Sequence, residues 1–289
     1  MKRPQLALCL VRPTGFDWAT QEHATRLAGW ETIVADAQLA KWLAQLSLTH
    51  LYFGSEFCEH LLPSSRSLQL AMSAASNAGI KFVLQTPVAS PAILRHLTKL
   101  LPLLPPDSEI VINDWGVAHL VRERFPALRG IAGRILCRMI KDPRLPGPDW
   151  APQCRPGFDS PPLLGLFRWL GLERIEVDAP MFPTHGTFAG LPPASGVHLP
   201  FSYVAKGRMC RIGSMFITGP ERFAVGRKCR KECLTLSATT ERPGAADQHA
   251  TFHIGNTVFS RHSTAMLQAV MHAAEGGEVQ RLIVPGEPA

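Results

Sequence analysis

The organisation of the chain is clearest in residues 81–125, which read KFVLQTPVASPAILRHLTKLLPLLPPDSEIVINDWGVAHLVRERF. Two short apolar runs, Lys81–Gln85 and Glu109–Ile112, predict strands. Each run is followed by a stretch with helical spacing of apolar residues, Pro91–Leu103 and Trp115–Phe125. Strands that alternate with helices are typical of a parallel sheet with helical crossovers.

The same alternation extends in both directions along the chain. Further strands are predicted at Gln5–Val11, Glu31–Ala35, His50–Phe53, Leu128–Ile131, Arg174–Val177, Leu199–Val204, Thr251–Phe259 and Arg281–Val284, and further helices at Leu68–Ala78, Leu163–Leu170 and Ala265–Ala274. We therefore expect an α/β fold over residues 1–289: a single TIM-like (β/α) barrel domain, complete or else irregular or incomplete, with a Cys-rich C-terminal segment. Seven prolines in residues 142–162 predict an irregular surface loop.

Composition sets limits on the class of protein. The chain has 289 residues, of which 46% are hydrophobic and 18% charged, with a formal net charge of +7. That charge is compatible with nucleic acid or with an anionic ligand and selects neither. Seven cysteines, an odd number, argue against a disulfide framework. No apolar run approaches the ~20 residues of a membrane span, so we expect a cytoplasmic protein.

The most specific chemical signal is a set of cysteines. Cys210, Cys229 and Cys233 lie in a basic segment, residues 206–236, and Cys58 follows a predicted strand far upstream. Cys229 and Cys233 would share one face of a helical turn, and four thiolates can bind an iron–sulfur cluster or zinc. Eight Lys and Arg residues between positions 206 and 231 would balance the charge of a cluster and lower the thiol pKa values. Buried cysteines without a ligand remain the simpler alternative.

Polar residues at predicted strand ends supply other candidates, because reactive groups of a parallel barrel gather there. These positions are Ser55, Glu56, Gln85, Thr86, Asn113, Asp114, Arg134, Arg138 and Asp178. The weak catalytic candidates are Asp114, Glu176, Asp178 and His185. Arg134 and Arg138 are candidates for binding the carboxylates of a substrate. The alternative for each is an ordinary polar position on the surface or a structural hydrogen bond.

Several stretches carry a resemblance to a known family. They are Leu51–Cys58, Ala78–Pro87, Val111–Gly116, Leu170–Val177 and Leu199–Tyr203, followed by Cys210 and by Cys229-x3-Cys233. In this order the chain resembles the collagenase-like peptidase family, family U-thirty-two, and within it the ubiquinone-biosynthesis branch.

The resemblance implies a function as well as a fold. It implies that Cys58, Cys210, Cys229 and Cys233 hold a [4Fe-4S] cluster in a barrel-like fold. It further implies oxygen-independent hydroxylation of a quinone precursor, in a heterodimer with a homologous subunit and with prephenate as hydroxyl donor. Other branches hydroxylate RNA bases, which is the second hypothesis, and a non-catalytic scaffold is the third. Peptidase activity is not expected, because no G-x-S-x-G or H-E-x-x-H motif occurs.

Overall fold

The computed structural model describes residues 3–13, 16–17, 21–137, 139, 147–149, 160–184, 186–192, 194–224, 228–239 and 250–287. Its main body is a closed barrel of eight parallel strands, which confirms the predicted TIM-like fold. The strands are β1 (Gln5–Leu10), β2 (Leu48–Gly54), β3 (Lys81–Gln85), β4 (Glu109–Ile112), β5 (Arg129–Ala132), β6 (Leu172–Asp178), β7 (Gly196–His198) and, numbered in chain order, β12 (Arg281–Pro285). The barrel closes where β1 pairs with β12, with Gln5 opposite Arg281.

The helices pack around the outside of the barrel. They are α1 (His23–Val34), α2 (Ala37–Ala44), α3 (Ser65–Asn77), α4 (Pro91–Leu100), α5 (Trp115–Arg124), α6 (Pro161–Trp169) and α7 (Thr264–Gly276). Three of them begin after a serine, Ser64, Ser90 or Ser263, whose side chain accepts a backbone N–H of the first turn. Pro161 and Pro162, predicted as the end of the proline-rich loop, instead form the first turn of α6, where proline needs no donor. Most of that loop lies outside the described residues.

A second, antiparallel sheet is inserted between β7 and β12. Its order is β8-β11-β10-β9, with β8 (Phe201–Lys206), β9 (Ala238–Thr239), β10 (Thr251–Ile254) and β11 (Thr257–Arg261). Because β8 follows the carboxyl end of β7 after two residues, this sheet lies over the C-terminal mouth of the barrel. We call it the cap sheet.

Three strand predictions were wrong in detail. Glu31–Ala35 belongs mainly to α1, where Trp30, Ile33 and Val34 form its buried side. Thr251–Phe259 is a hairpin, because Gly255 takes a φ of +61° and reverses the chain. Leu199 lies between two strands, β7 and β8.

Apolar packing separates into an inner and an outer layer. Inside the barrel, six strands contribute Ala7, Tyr52, Val83, Val111, Ile131 and Ile283. A larger core lies between the strands and the helices. A third cluster, Phe57, Phe201, Tyr203 and Phe259, joins the cap sheet to the barrel mouth. Among the described residues, no helix is both long and apolar enough to cross a membrane.

Candidate metal centre

The four cysteines of the sequence analysis come from separate elements at the barrel mouth. Cys58 lies between β2 and a short 3₁₀ helix, Glu59–Leu61. Cys210 follows β8, and Cys233 lies in another 3₁₀ turn, Glu232–Leu234. Cys229 lies in an irregular segment and not in the predicted helical turn, because Lys231 has a left-handed φ of 60°.

The structure brings these four thiols close enough to interact electrostatically. Burial raises the pKa of Cys58, and the neighbouring Cys229 and Cys210 raise it further. Burial likewise raises the pKa of Cys233 to about 12, with additional contributions from Cys58, Cys210 and Cys229. The pKa of Cys210 is also raised, first by burial and then by Cys229. The expected lowering by cations was therefore wrong for these three thiols, because burial and mutual repulsion outweigh the basic segment.

Backbone N–H groups point at the sulfur atoms. Gly213 N donates to Cys210 Sγ at 3.2 Å, and Lys231 N donates to Cys229 Sγ at 3.3 Å. Cys58 accepts from the backbone of His60 and Leu61, which partly offsets the rise in its pKa. Such donors stabilise the thiolate form, which is the form that binds metals.

The spacing of the sulfur atoms can be compared with what a single metal ion requires. A tetrahedral zinc ion with bonds of about 2.3 Å holds its sulfurs roughly 3.8 Å apart. No three of the four described sulfur atoms lie within 4.8 Å of one another. The arrangement is wider than one zinc ion requires. In a cubane each thiolate binds a different iron, so its sulfurs are held further apart than those around a single ion.

A cavity of about 560 Å³ adjoins two of the cysteines. Cys58 and Cys233 line one side, and Phe57, Phe201 and Phe259 contribute apolar walls. Polar residues of the barrel also line the cavity, among them Cys9, Gln85, Glu56, Arg134 and His198. The cavity thus lies beside two of the four cysteines, an aromatic wall and several buried ionisable groups.

Arg134 is held by internal partners. Its guanidinium donates to Glu56 at 2.8 Å and to Asp178 at 2.8 Å, and also to the carbonyl of Phe201 at 3.1 Å. Burial disfavours its charge, but Glu56 and Asp178 outweigh burial and raise the pKa of Arg134. With its donors engaged in this way, the structure does not present Arg134 as a ready carboxylate receptor.

Glu176 has a different environment. Tyr52 Oη donates to Glu176 Oε1 at 2.7 Å, and His198 Nε2 lies 3.1 Å from Oε2. Burial raises the pKa of Glu176 to about 7, against the lowering contributions of Tyr52, Arg281 and Arg134. Glu56, Glu176 and His198 also form the one group of three buried metal-type donors found among the described residues.

The remaining catalytic and substrate-binding candidates from the sequence lie in different structural settings. Asp114 caps α5, since its Oδ1 accepts from Gly116 N at 2.8 Å and Val117 N at 3.2 Å. Asp178 is the buried partner of Arg134. His185 and Arg138 lie outside the described residues.

Sequence reasoning missed His198 altogether. It lies in the three-residue strand β7, inside a stretch that reads as a Pro/Gly-rich loop. The signal available was the alternation Gly-Val-His before Leu199, which is too short to identify a strand. Cys9 packs against the inner core of the barrel and also lines the cavity.

The chain matches no protein-family model and no curated protein. Twenty-three solved chains match it by fold. One is the catalytic domain 2 of a Group II chitinase from Ostrinia furnacalis, with 12% identity, a TM-score of 0.39, and coverage of 98% of this chain and 89% of that one. Human YKL-39, a pseudo-chitinase that retains chitooligosaccharide binding, has 11% identity, a TM-score of 0.39, and coverage of 97% and 92%. The carboxyl transferase domain of Rhizobium etli pyruvate carboxylase has 10% identity, a TM-score of 0.39, and coverage of 99% and 40%. Similarity this low carries no information about activity.

Proposed function

We propose that this chain is the iron–sulfur subunit of an oxygen-independent hydroxylation system in ubiquinone biosynthesis. In this proposal it corresponds to the UbiV-like branch of the resemblance, acts on a quinone precursor with prephenate as hydroxyl donor, and pairs with a homologous UbiU-like subunit. The observation that carries the proposal is the position of Cys58: a loop of the barrel itself supplies a thiol beside three thiols of the inserted segment.

The residues present fit a [4Fe-4S] cluster. Cys58, Cys210, Cys229 and Cys233 would hold it, their sulfurs are spaced more widely than zinc needs, and backbone donors face several of them. When bound, such a cluster supplies electron transfer or a Lewis-acidic iron. The adjoining cavity supports a substrate role, because its aromatic side chains suit the ring of a quinone precursor.

The chain's own residues would exclude water and orient the ligand. Phe57, Phe201 and Phe259 form an aromatic part of the cavity lining. The Arg134 guanidinium, held by its ion pair with Glu56, lies 5.1 Å from the ring centre of Phe57 and 5.9 Å from that of Phe259. The ligand would therefore contact an aromatic wall and a fixed polar group that adjoin each other, next to Cys58 and Cys233.

The test combines metal analysis with a matched pair of variants. Anaerobically purified protein is expected to contain roughly four irons and four sulfides per chain. Cys58→Ala should lose most of them, whereas Cys137→Ala should retain them, because Cys137 is buried in the outer core and bonds to the carbonyl of Ala132. Equal iron in both variants, or zinc in place of iron, would remove the proposal.

The biological role is tested separately in cells. A strain that lacks the gene should lose ubiquinone during anaerobic growth and keep it during aerobic growth. Complementation with Cys137→Ala should restore anaerobic ubiquinone, and complementation with Cys58→Ala should not. Normal anaerobic ubiquinone in the deletion strain would contradict the assignment to this pathway.

One observation favours RNA-base modification as the second candidate. Phe216 is 80% exposed within the basic segment, where an aromatic ring can stack on an unpaired base. RNA binding by this surface would weaken steeply with salt and would fall further in Phe216→Ala. Affinity for RNA that is equal in wild type and Phe216→Ala would exclude this surface.

A further inference from the structure

Among the described residues, four buried carboxylates lie inside the barrel or at its mouth, and Glu176 differs from the other three. Glu56 and Asp178 each pair with Arg134, and Glu109 pairs with Arg281 at 2.6 Å. Within the described part of the chain, Glu176 has no arginine or lysine ion pair; its partners are a phenol and an imidazole. A buried carboxyl that makes no direct ion pair with an arginine or lysine holds a proton more tightly than an exposed one.

His198 connects this carboxyl to the cavity. It lines the cavity, while its Nε2 lies 3.1 Å from Glu176 Oε2 and 3.9 Å from Glu56 Oε1. Because Arg134 neutralises Glu56, the two sites left to share a proton are the imidazole and Glu176. A pair of this kind can accept a proton from a ligand and store it away from the ligand.

We propose that His198 and Glu176 form a proton-transfer pair that takes up the proton released when a ligand ring in the cavity is hydroxylated. His198 is the catalytic base, and Glu176 is the positioning residue that orients the imidazole and stores the proton. This inference rests on the proposed function. Tyr52 completes the pair, because its hydroxyl fixes Oε1 of Glu176 and leaves Oε2 for His198.

The proton step balances without an oxidant. The hydroxyl donor breaks its C–O bond and keeps that electron pair, so the attacked carbon of a now cationic ring carries both the hydroxyl and its original hydrogen. The C–H bond then breaks, its electron pair returns to the ring, and the proton passes to the imidazole and on to Glu176. No redox partner gains or loses electrons in this deprotonation step.

Several charged groups set the proton affinity of Glu176, and they come from most of the surrounding strands. Tyr52 and Arg281 face it from β2 and β12, Arg134 from beyond β5, and Glu109 from β4. Cys9 on β1 and Cys137 after β5 also interact with it. The net result is that the pKa of Glu176 rises to about 7, chiefly through burial. This value lies near the pH at which the carboxyl would have to accept and return a proton.

One test reads the proton directly and needs no activity. Infrared difference spectra between pH 6 and pH 8 of wild-type protein should show a protonated carboxyl band that titrates, and Glu176→Gln should lack it. A spectrum without that band in wild type would overturn the proposal. Metal analysis of the same samples adds a second criterion. If Glu176→Gln loses a divalent metal that wild type holds while its cluster iron stays intact, Glu56, Glu176 and His198 form a metal site and the proton-transfer proposal is overturned.

The second test uses the hydroxylation assay with the partner subunit present. His198→Ala should keep its iron and lose roughly 10²–10⁴-fold in rate, and added imidazole should restore part of that rate. Glu176→Gln should move the acidic limb of the pH–rate profile, which a purely structural residue would not do. His272→Gln, which alters an exposed histidine of α7, is the control and should match wild type. Normal rates in His198→Ala would overturn the inference alone, whereas wild-type protein without iron or hydroxylation would overturn the proposed function.

Discussion

Replacing Arg134 by methionine tests how the polar part of the cavity lining is held. The guanidinium is buried and lies 2.8 Å from Glu56 and 2.8 Å from Asp178, both of which are themselves buried. Arg134→Met keeps an unbranched apolar side chain in place of the aliphatic part of arginine and removes the cation that both carboxylates contact. Breaking a buried pair by removing one partner costs about 3–5 kcal/mol. Because domains have a free energy of unfolding of about 5–15 kcal/mol, this loss is a large share of the total.

Urea unfolding followed by far-UV circular dichroism measures the effect. Arg134→Met should unfold at a clearly lower urea concentration than wild type. Adding Asp178→Asn to Arg134→Met should recover part of the loss, because one uncompensated charge is removed. The matched control is Arg129→Met, whose ion pair with Asp107 is exposed and should give no measurable change. If Arg134→Met unfolds with the same midpoint as Arg129→Met, the two carboxylates do not depend on Arg134 and this account of the barrel mouth is wrong.

Three further predictions concern protons, a turn and metal loading. Burial raises the pKa of Glu176 from 4.5 to about 7, so the folded chain keeps a proton that the unfolded chain has lost between these values. Relative to Glu176→Gln, wild-type stability should therefore fall by roughly 3 kcal/mol as the pH rises through that window, and a pH-independent difference in urea unfolding would contradict this. Gly255→Ala should lower the melting temperature, because a φ of +61° costs an alanine roughly 1–2 kcal/mol. Its iron content should stay normal, since the added methyl lies 3.5 Å from Cys233 Cβ, an ordinary contact distance. An unchanged melting temperature would show that the turn relaxes. The pKa values of Cys58, Cys210 and Cys233 are raised, so these thiols must lose protons when they bind metal. Anaerobic reconstitution should therefore release protons, and the protein should load less iron at pH 6 than at pH 8. Equal loading at both pH values would argue against these thiols as the ligands.

The sequence was most informative where the hydrophobic pattern is local. Lys81–Gln85 and Glu109–Ile112 were predicted with their observed bounds, because turn or loop residues bracket each short run and each is followed by a well-patterned helix. Glu31–Ala35 shows the limit of the same method. Its apolar residues fit a strand and the buried side of a helix equally well. The segment is helical because this conformation buries Trp30 and Ile33 together on one side.

Elements fixed by distant partners could not be predicted in the same way. β7 has three residues, Gly196–His198, and becomes a strand because β6 and β12 pair with it on either side. β8 finds its partner β11 more than fifty residues later in the chain, at Thr257–Arg261. His198 was missed for this reason, since a side chain at a strand end has functional meaning only when the strand is known.

The place of the insertion explains how distant cysteines meet. Reactive groups of a parallel barrel gather at the carboxyl ends of its strands, and Cys58 is one of them. The segment between β7 and β12 leaves the barrel at that same end, so its three cysteines return over the mouth. Asn256 links the two parts, because its Nδ2 donates to the carbonyl of Phe57 at 3.1 Å and to that of Gly207 at 3.1 Å. One amide therefore ties the loop that carries Cys58 to the strand end that precedes Cys210.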